Sequence, residues 1–155
     1  NIARISQLTQ KTNQFNLTTK RYTHEDILKL IKNKSYRVFS IRLIDKFGDY
    51  GFTGVVILNI DSKDTWTIDT FLLSCRILGR NIEQAILAFI VREAKKEGAK
   101  YLIGEYILTN NNQPAKDFYK NMGLRKHNEQ NKELWSFDLK KNLEFPKYIK
   151  TLSKK

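Results

Sequence analysis

Apolar residues follow two different spacings along the chain, and these spacings divide it into strands and helices. Alternating or continuous apolar runs, rich in β-branched and aromatic side chains, predict strands at 36–44, 52–60, 66–73, 101–108 and 134–139. Two glycines in the connection 45–51 are typical of a hairpin turn. The first three runs are therefore expected to form an antiparallel meander, and the fourth is expected to lie beside the third, splayed from it to leave a cleft.

Apolar residues three or four positions apart predict the helices. A short helix covers 2–11, and Thr23 is a typical N-cap for a second helix. A long amphipathic helix begins at Ile82 and is stopped by Gly98, and Pro114 opens a last helix. The order of strands and helices predicts a single α+β unit with a mixed, mostly antiparallel sheet flanked by helices.

Composition and charge narrow the class of protein. The length of 155 residues and the apolar fraction of 41% fit one globular domain. No apolar run is long enough to span a bilayer, which argues against a membrane protein. The single cysteine allows no internal disulfide and favours a reducing compartment, so a cytoplasmic location is expected. Because the chain begins with Asn1 and not Met, we expect that it was cut from a longer polypeptide.

The net charge indicates an anionic partner. Lysine and arginine total 28 against 16 aspartate and glutamate, which gives +12. Acidic proteins, phosphorylated cofactors, nucleic acid and anionic lipid are all attracted by such a charge. The basic residues are not interleaved with aromatic residues as in RNA-binding proteins, which argues against nucleic acid.

The stretch 69–83 carries the clearest chemical signal. It consists of a buried strand, a tight turn rich in arginine and glycine, and the start of the long helix. A strand that feeds a helix in this way presents unpaired amides and a positive dipole end, which together bind a phosphate. Cys75 lies at the edge of this turn, so a reactive thiol is predicted beside a phosphate site. An ordinary strand–helix connection and a buried cysteine are the structural alternatives.

The turn and a second motif resemble the GNAT (N-acetyltransferase) superfamily. The turn Arg76-Ile-Leu-Gly-Arg-Asn81 is similar to the superfamily's Arg-x-x-Gly-x-Gly coenzyme A loop. Downstream, Asn112, Ala115, Phe118-Tyr119 and Gly123-Leu124 resemble its Asn-x-x-Ala-x-x-Phe-Tyr helix. The resemblance implies the acyl-CoA N-acyltransferase fold and a site for coenzyme A or phosphopantetheine, with no metal. The residues that it assigns to this site are Arg76, Ile77, Leu78, Gly79, Arg80, Asn81, Ile82 and Asn112.

A narrower resemblance covers nearly the whole chain up to Leu139. The segments 10–22, 45–49, 71–80 and 104–106 are similar to the C-terminal half of FkbH-like proteins. Members of that family have a dehalogenase-type phosphatase half followed by a GNAT-like half. They load a glyceryl unit onto an acyl carrier protein in polyketide or polysaccharide biosynthesis.

The resemblance implies three parts for this chain. They are an N-terminal helical strap or linker at 1–35, which would follow an upstream dehalogenase-like domain, a GNAT-like domain at 36–140 and a basic tail at 141–155. The segment 13–22 would be a hinge or dock for the upstream half, or a simple strap.

The sequence departs from these families at three points. Asn81 stands where the loop has its last glycine, although asparagine tolerates positive φ better than most residues. The segment 108–112 lacks the lysine that the FkbH-like family often has there. The Asp-x-Asp-x-Thr motif of the dehalogenase half is not in the sequence, so phosphatase chemistry is not expected of this chain.

Four side chains are candidates for catalysis. Cys75 is expected to carry an acyl group, because a helix N-terminus and neighbouring arginines favour its thiolate. The superfamily assigns to the position of Tyr119 the general acid that protonates a leaving thiolate. Asp69 and Glu105, on central strands, are candidate general bases, and alternation places Asp69 on the same sheet face as Cys75. Core packing for the cysteine and tyrosine, and simple ion pairs for the carboxylates, are the alternatives.

The resemblance therefore implies an acyltransferase of the GNAT type. The favoured reaction moves a glyceryl-type acyl group between an enzyme thiol and the phosphopantetheine thiol of an acyl carrier protein, whose acidic surface would suit the positive charge. A coenzyme A-dependent N-acetyltransferase acting on a small amine or amino sugar is one alternative. A non-catalytic docking domain is another, supported by Asn81 and the missing lysine.

Overall fold

The structure, a computed structural model, describes residues 1–154 and contains one seven-stranded sheet. The strands are β1 Phe15–Asn16, β2 Tyr36–Asp45, β3 Gly48–Asn59, β4 Thr65–Leu73, β5 Tyr101–Tyr106, β6 Arg125–Glu129 and β7 Lys132–Asp138. The helices are α1 Ile2–Lys11, α2 His24–Lys32, α3 Ile82–Lys96 and α4 Phe118–Asn121.

The sheet has the order β2-β3-β4-β5-β7-β6, and β1 pairs with β4 outside this path. β2, β3 and β4 form the antiparallel meander that the sequence predicts, and β4 and β5 are parallel neighbours. β7 lies antiparallel between β5 and β6. The predicted α+β class and the mostly antiparallel mixed sheet are confirmed.

Helices cover both faces of the sheet. On one face, Ile5 and Leu8 of α1 and Ile27 of α2 pack on Val55, Ile57 and Leu72. The other face holds the larger core, beneath α3 and α4. The predicted N-cap of α2 is confirmed, because Thr23 and Asp26 form a reciprocal capping box. Residues 2–32 thus bury apolar side chains on the same sheet as the rest of the chain, and the three-part division remains a prediction.

Two predictions about elements are wrong in detail, and one strand is not predicted at all. The turn between β2 and β3 contains only Lys46 and Phe47, because both strands extend into the predicted connection. The helix predicted to begin at Pro114 is instead a 3₁₀ turn at Gln113–Ala115 followed by the one-turn α4. β6 has a polar sequence at the edge of the sheet, so no apolar alternation indicates it.

The candidate site lies where β4 and β5 separate. The two strands pair only as far as Ile68 and Gly104 and then separate, as predicted. The expected open cleft is wrong, however, because β1 lies in the gap and pairs with β4. Leu17, just after β1, donates its amide to Phe71 O at 3.1 Å and accepts from the amide of Ile107 at 2.9 Å. The N-terminal segment is therefore hydrogen-bonded to both sides of the opening.

Residues 141–154 run along α3 without regular secondary structure. Lys95 donates to the carbonyl of Lys141, and Gln84 donates to the carbonyl of Glu144. The basic tail predicted at 141–155 therefore lies beside the long helix as far as it is described, and its last residue falls outside the described part of the chain.

Candidate active site at the β4–β5 opening

The turn between β4 and α3 has the features of an anion site. A 3₁₀ turn at Cys75–Ile77 ends β4, and Gly79 and Asn81 both have positive φ, +77° and +58°. The first α-helical bond of α3 runs from the amide of Ala85 to Asn81 O, so the three preceding amides have no acceptor within the helix. These amides and the N-terminal end of a 15-residue helix together favour a phosphate.

The turn is anchored by buried side chains. Ile77 and Ile82 lie in the core, so they offer a ligand only their backbone, and Leu78 packs partly against the same core. Arg76 is exposed at the turn. The guanidinium of Arg80 binds Asp45 at 3.0 Å and stacks on the ring of Tyr50. Arg80 therefore has partners within the chain, and a contact of both arginines with Cys75 stays a prediction.

Glu83, in the first turn of α3, opposes an anion at the same site. One of its carboxylate oxygens is buried and has no hydrogen-bond partner among the described residues. A negative charge there stabilises the helix end but repels a bound phosphate.

Asp69 lies at a β-bulge and binds the N-terminal segment. Thr70 pairs with Ile57 while Ile68 pairs with Leu58, so Asp69 is the additional residue in β4. Its carboxylate accepts hydrogen bonds from Lys20 and Tyr22, each at 2.6 Å, and from the hydroxyl of Thr70 at 2.9 Å.

The bulge overturns the predicted relation between Asp69 and Cys75. The bulge shifts the alternation of β4, and the strand ends at Leu73, so strand parity no longer links the two side chains. Cys75 is exposed on the 3₁₀ turn. The structure therefore brings Cys75 to the phosphate turn but shows no contact between its side chain and Asp69.

The other candidates occupy opposite faces of the sheet. Glu105 follows the last β4–β5 pair, as Asp69 does, and alternation places it on the face that carries Asp69. Tyr119 lies on the other face, with its ring over Gly104: a Cβ at Gly104 would come within 2.3 Å of the ring. The sheet therefore lies between the two candidate bases and the candidate acid.

The hydroxyl of Tyr119 is sealed in the core. The residue is 1% exposed, and its oxygen has no hydrogen-bond partner within residues 1–154. Burial, followed by the charge of Glu105, raises the pKa of the phenol far above its usual value. The hydroxyl is therefore a neutral donor that lacks an acceptor in this state of the molecule.

Asn112 serves the chain's own backbone. Its side-chain amide donates to the carbonyls of Asn16 at 2.9 Å and Ile107 at 2.8 Å, and its oxygen accepts from the amide of Thr109. The hydroxyl of Tyr106 also donates to Asn112. These bonds tie the loop after β5 to β1, so no group of the Asn112 side chain remains for a ligand in this state.

Sequence reasoning missed two parts of the site. The segment 15–20 enters the opening, and Lys20 and Tyr22 surround Asp69. Apolar Phe15 and Leu17 within a polar segment were the available signal, because two alternating apolar residues are the minimum for a short strand. The pKa of Tyr22 is raised by burial and by its bond to Asp69, which keeps this hydroxyl a donor.

Comparison with solved structures identifies the fold as that of the GNAT N-acetyltransferases. The ribosomal-protein-S18-alanine N-acetyltransferase from Escherichia coli has a TM-score of 0.65 at 12% identity, over 97% of this chain and 93% of that one. The GNAT domain of S. lividans PAT has a TM-score of 0.66 at 15% identity, over 88% and 84%. The PaiA N-acetyltransferase from Thermoplasma acidophilum, solved with coenzyme A, has a TM-score of 0.58 at 14% identity, over 76% and 72%.

Comparisons of sequence gave no match, either to a protein-family model or to a curated protein. At identities of 12–15%, the structural likeness establishes the fold and leaves the reaction open. Within residues 1–154, no helix is long and apolar enough to cross a membrane. The same residues contain no group of three or more metal-ligating side chains.

A coenzyme A-type ligand fits this site at one end only. The unpaired amides at the start of α3 suit its phosphates, and Gly79 and Asn81 hold the backbone shape that exposes them. Its thiol arm does not fit between β4 and β5, because β1 fills that gap.

Proposed function

We propose that the chain is an acyltransferase that acts on the thiol of a phosphopantetheine group. The observation that carries this proposal is the turn at Cys75–Ile82, where unpaired helix amides lie beside an exposed thiol. The phosphate would be held by the amides that follow Gly79, and Cys75 would carry the acyl group. Solved neighbours with bound coenzyme A support a phosphopantetheine-type ligand for this fold.

The favoured form of the reaction transfers a glyceryl-type acyl group to an acyl carrier protein, as in the C-terminal part of an FkbH-like enzyme. Three of the four segments that resemble that family meet at the site: 10–22 reaches into the opening, 71–80 supplies the edge of β4 and the turn, and 104–106 supplies Glu105. The fourth, 45–49, lies at the β2–β3 hairpin. The net charge of +12 suits an acidic carrier. An upstream dehalogenase-like domain of the same polypeptide would supply the phosphatase step.

The proposed transfer assigns a role to each candidate. The carrier thiol loses a proton, through Asp69 or Glu105, and attacks the carbonyl carbon of the thioester on Cys75. The carbon–sulfur bond to Cys75 then breaks, and the departing thiolate takes a proton from Tyr119. The hydroxyl of Tyr119 supports this donor role because it is protonated and has no competing acceptor within residues 1–154. Its raised pKa acts against the role, because it makes the phenol a weaker acid.

A coenzyme A-dependent N-acetyltransferase is the second candidate, favoured by the neighbours named above. Titration separates the two. Micromolar binding of free coenzyme A supports the N-acetyltransferase, and binding restricted to a phosphopantetheinylated carrier protein supports carrier loading.

Intact-mass spectrometry tests the covalent step. The chain, together with the upstream domain, is incubated with the acyl donor and carrier protein. Cys75→Ser should abolish loading of the carrier and leave the fold unchanged, because the side chain is exposed and the volume change is small. Ser74→Ala is the matched control, since the Ser74 hydroxyl makes no cap bond. A Cys75→Ser variant that loads the carrier at the original rate removes the thiol from the mechanism.

A further inference from the structure

The segment 15–20, called the strap here, lies where a thiol arm would have to run. Phe15 and Asn16 pair with Leu73 and Leu72, and Leu17 donates to Phe71 O at 3.1 Å. These bonds use the edge of β4 that is exposed once β5 has separated from it. An extended ligand could bind there only by taking the place of the strap backbone.

The strap also packs on Phe118, the neighbour of the candidate acid. The ring of Phe15 lies 5.6 Å from that of Phe71 and 5.2 Å from that of Phe118, and Phe118 contacts Tyr119. The buried hydroxyl of Tyr119 lacks an acceptor in this arrangement. An unsatisfied buried donor is a cost that is relieved when an acceptor reaches it.

The strap is closed by a strained residue. Thr19 has φ +56°, a left-handed conformation that β-branched side chains rarely adopt. Its amide donates to the Asn16 side chain at 2.9 Å, and its hydroxyl donates to the carbonyl of Thr18 at 2.7 Å. The following residue, Lys20, is half exposed, so the ion pair with Asp69 that ends the strap is accessible to water.

We infer that the strap is a displaceable plug: it closes the site in the free protein and leaves the β4–β5 opening when a phosphopantetheine arm enters. The inference rests on the proposed function and adds a device that controls access to the same site. Because only the open fraction of molecules binds, the apparent affinity for a ligand without other contacts is reduced by that fraction. The plug therefore weakens binding of every phosphopantetheine ligand by the same factor, and a ligand with additional contacts to the chain can recover the lost affinity.

Hydrogen exchange with coenzyme A as the probe tests this without any mutation. Amides at 78–84 should exchange more slowly at saturating coenzyme A, while amides of the strap, Leu17 above all, should exchange at least tenfold faster. Slower exchange at 78–84 with an unchanged strap overturns the plug and leaves the phosphate site standing. No change in either segment, first with millimolar coenzyme A and then with a phosphopantetheinylated carrier protein, overturns the proposed ligand, and the plug with it.

Two matched variants test whether the packing of the strap and the binding of coenzyme A are energetically coupled. Leu17→Ala removes packing from the strap, where the side chain is fully buried, so it should tighten coenzyme A binding on the order of tenfold. Ile27→Ala removes a comparable fully buried side chain from α2 and should leave the affinity unchanged. Equal affinity in Leu17→Ala and the unmodified protein, or an equal gain in both variants, contradicts the inference.

Discussion

Removal of one oxygen from Tyr119 should stabilise the protein. The hydroxyl is buried, has no partner within the described chain and lies over Gly104. A buried polar group without a partner costs about 1–3 kcal/mol, so Tyr119→Phe is expected to raise the free energy of unfolding by about 1 kcal/mol. For a chain of this length, that corresponds to a rise in Tm of about 3 °C.

Tyr106→Phe is the matched control for this change. Its hydroxyl is also in the core but donates to Asn112 O at 3.1 Å and to the side-chain oxygen at 3.2 Å. The same substitution there should lower the free energy of unfolding by about 1 kcal/mol. Urea unfolding followed by circular dichroism measures both variants, and the signs should be opposite.

The rate of acyl transfer shows whether Tyr119 is a general acid or only a packing residue. If Tyr119 donates the proton to a leaving thiolate, Tyr119→Phe should lower the rate of acyl transfer by about 10²–10⁴-fold while it gains stability. Tyr106→Phe should stay within a few fold of the unmodified rate. A Tyr119→Phe variant that is less stable by 1 kcal/mol would mean that the hydroxyl has a partner, and the reasoning from its isolation would be refuted.

Three further changes probe the turn and the Asp69 cluster. Gly79→Val should weaken coenzyme A binding at least tenfold in calorimetry, because the φ of +77° at this position strains a β-branched residue. Gly79→Asn should bind within about threefold of the unmodified protein. Equal binding by the two variants would exclude the turn as the phosphate site. Glu83→Gln should tighten that binding by roughly fivefold, by removal of a charge that opposes the phosphate, and weaker binding would contradict this role. The pKa of Tyr22 is raised in the folded state, so its contribution to stability is complete below pH 10 and is lost as the pH rises above 10. Urea midpoints measured between pH 9 and 11 should therefore fall less for Tyr22→Phe than for the unmodified protein. Parallel plots of midpoint against pH for the two proteins would show that the pKa of Tyr22 is not raised.

The elements that the sequence predicts correctly are those with local signals. β2 to β5 are rich in β-branched and aromatic residues, and Thr23 with Asp26 is a recognisable capping box. These signals require only neighbours within a few positions. The antiparallel meander and the parallel neighbour β5 then follow from short connections and one helical crossover.

The features that the sequence does not predict depend on distant partners. β1 is two residues long, and Phe15 pairs with Leu73, so no neighbouring residue indicates its place in the sheet. The bulge at Asp69 depends on the register with β3 and carries no local signature. The additional residue reverses the alternation of side chains along β4, and the prediction that Asp69 and Cys75 lie on the same face of the sheet depended on that alternation. Tertiary pairing therefore decides which face of the sheet each candidate side chain occupies.

Three unusual local features lie close together around the β4–β5 opening, and their proximity argues for a site. Within the few residues around the β4–β5 opening lie a bulge at Asp69, an unpaired hydroxyl on Tyr119 and a left-handed threonine at Thr19. The unpaired hydroxyl and the left-handed threonine each raise the free energy of the folded state. Other left-handed residues, Gln130 and Asn131, lie in the two-residue β6–β7 turn, where a tight hairpin requires positive φ. Proteins keep such features where function requires them, so the opening is where acyl transfer should be sought.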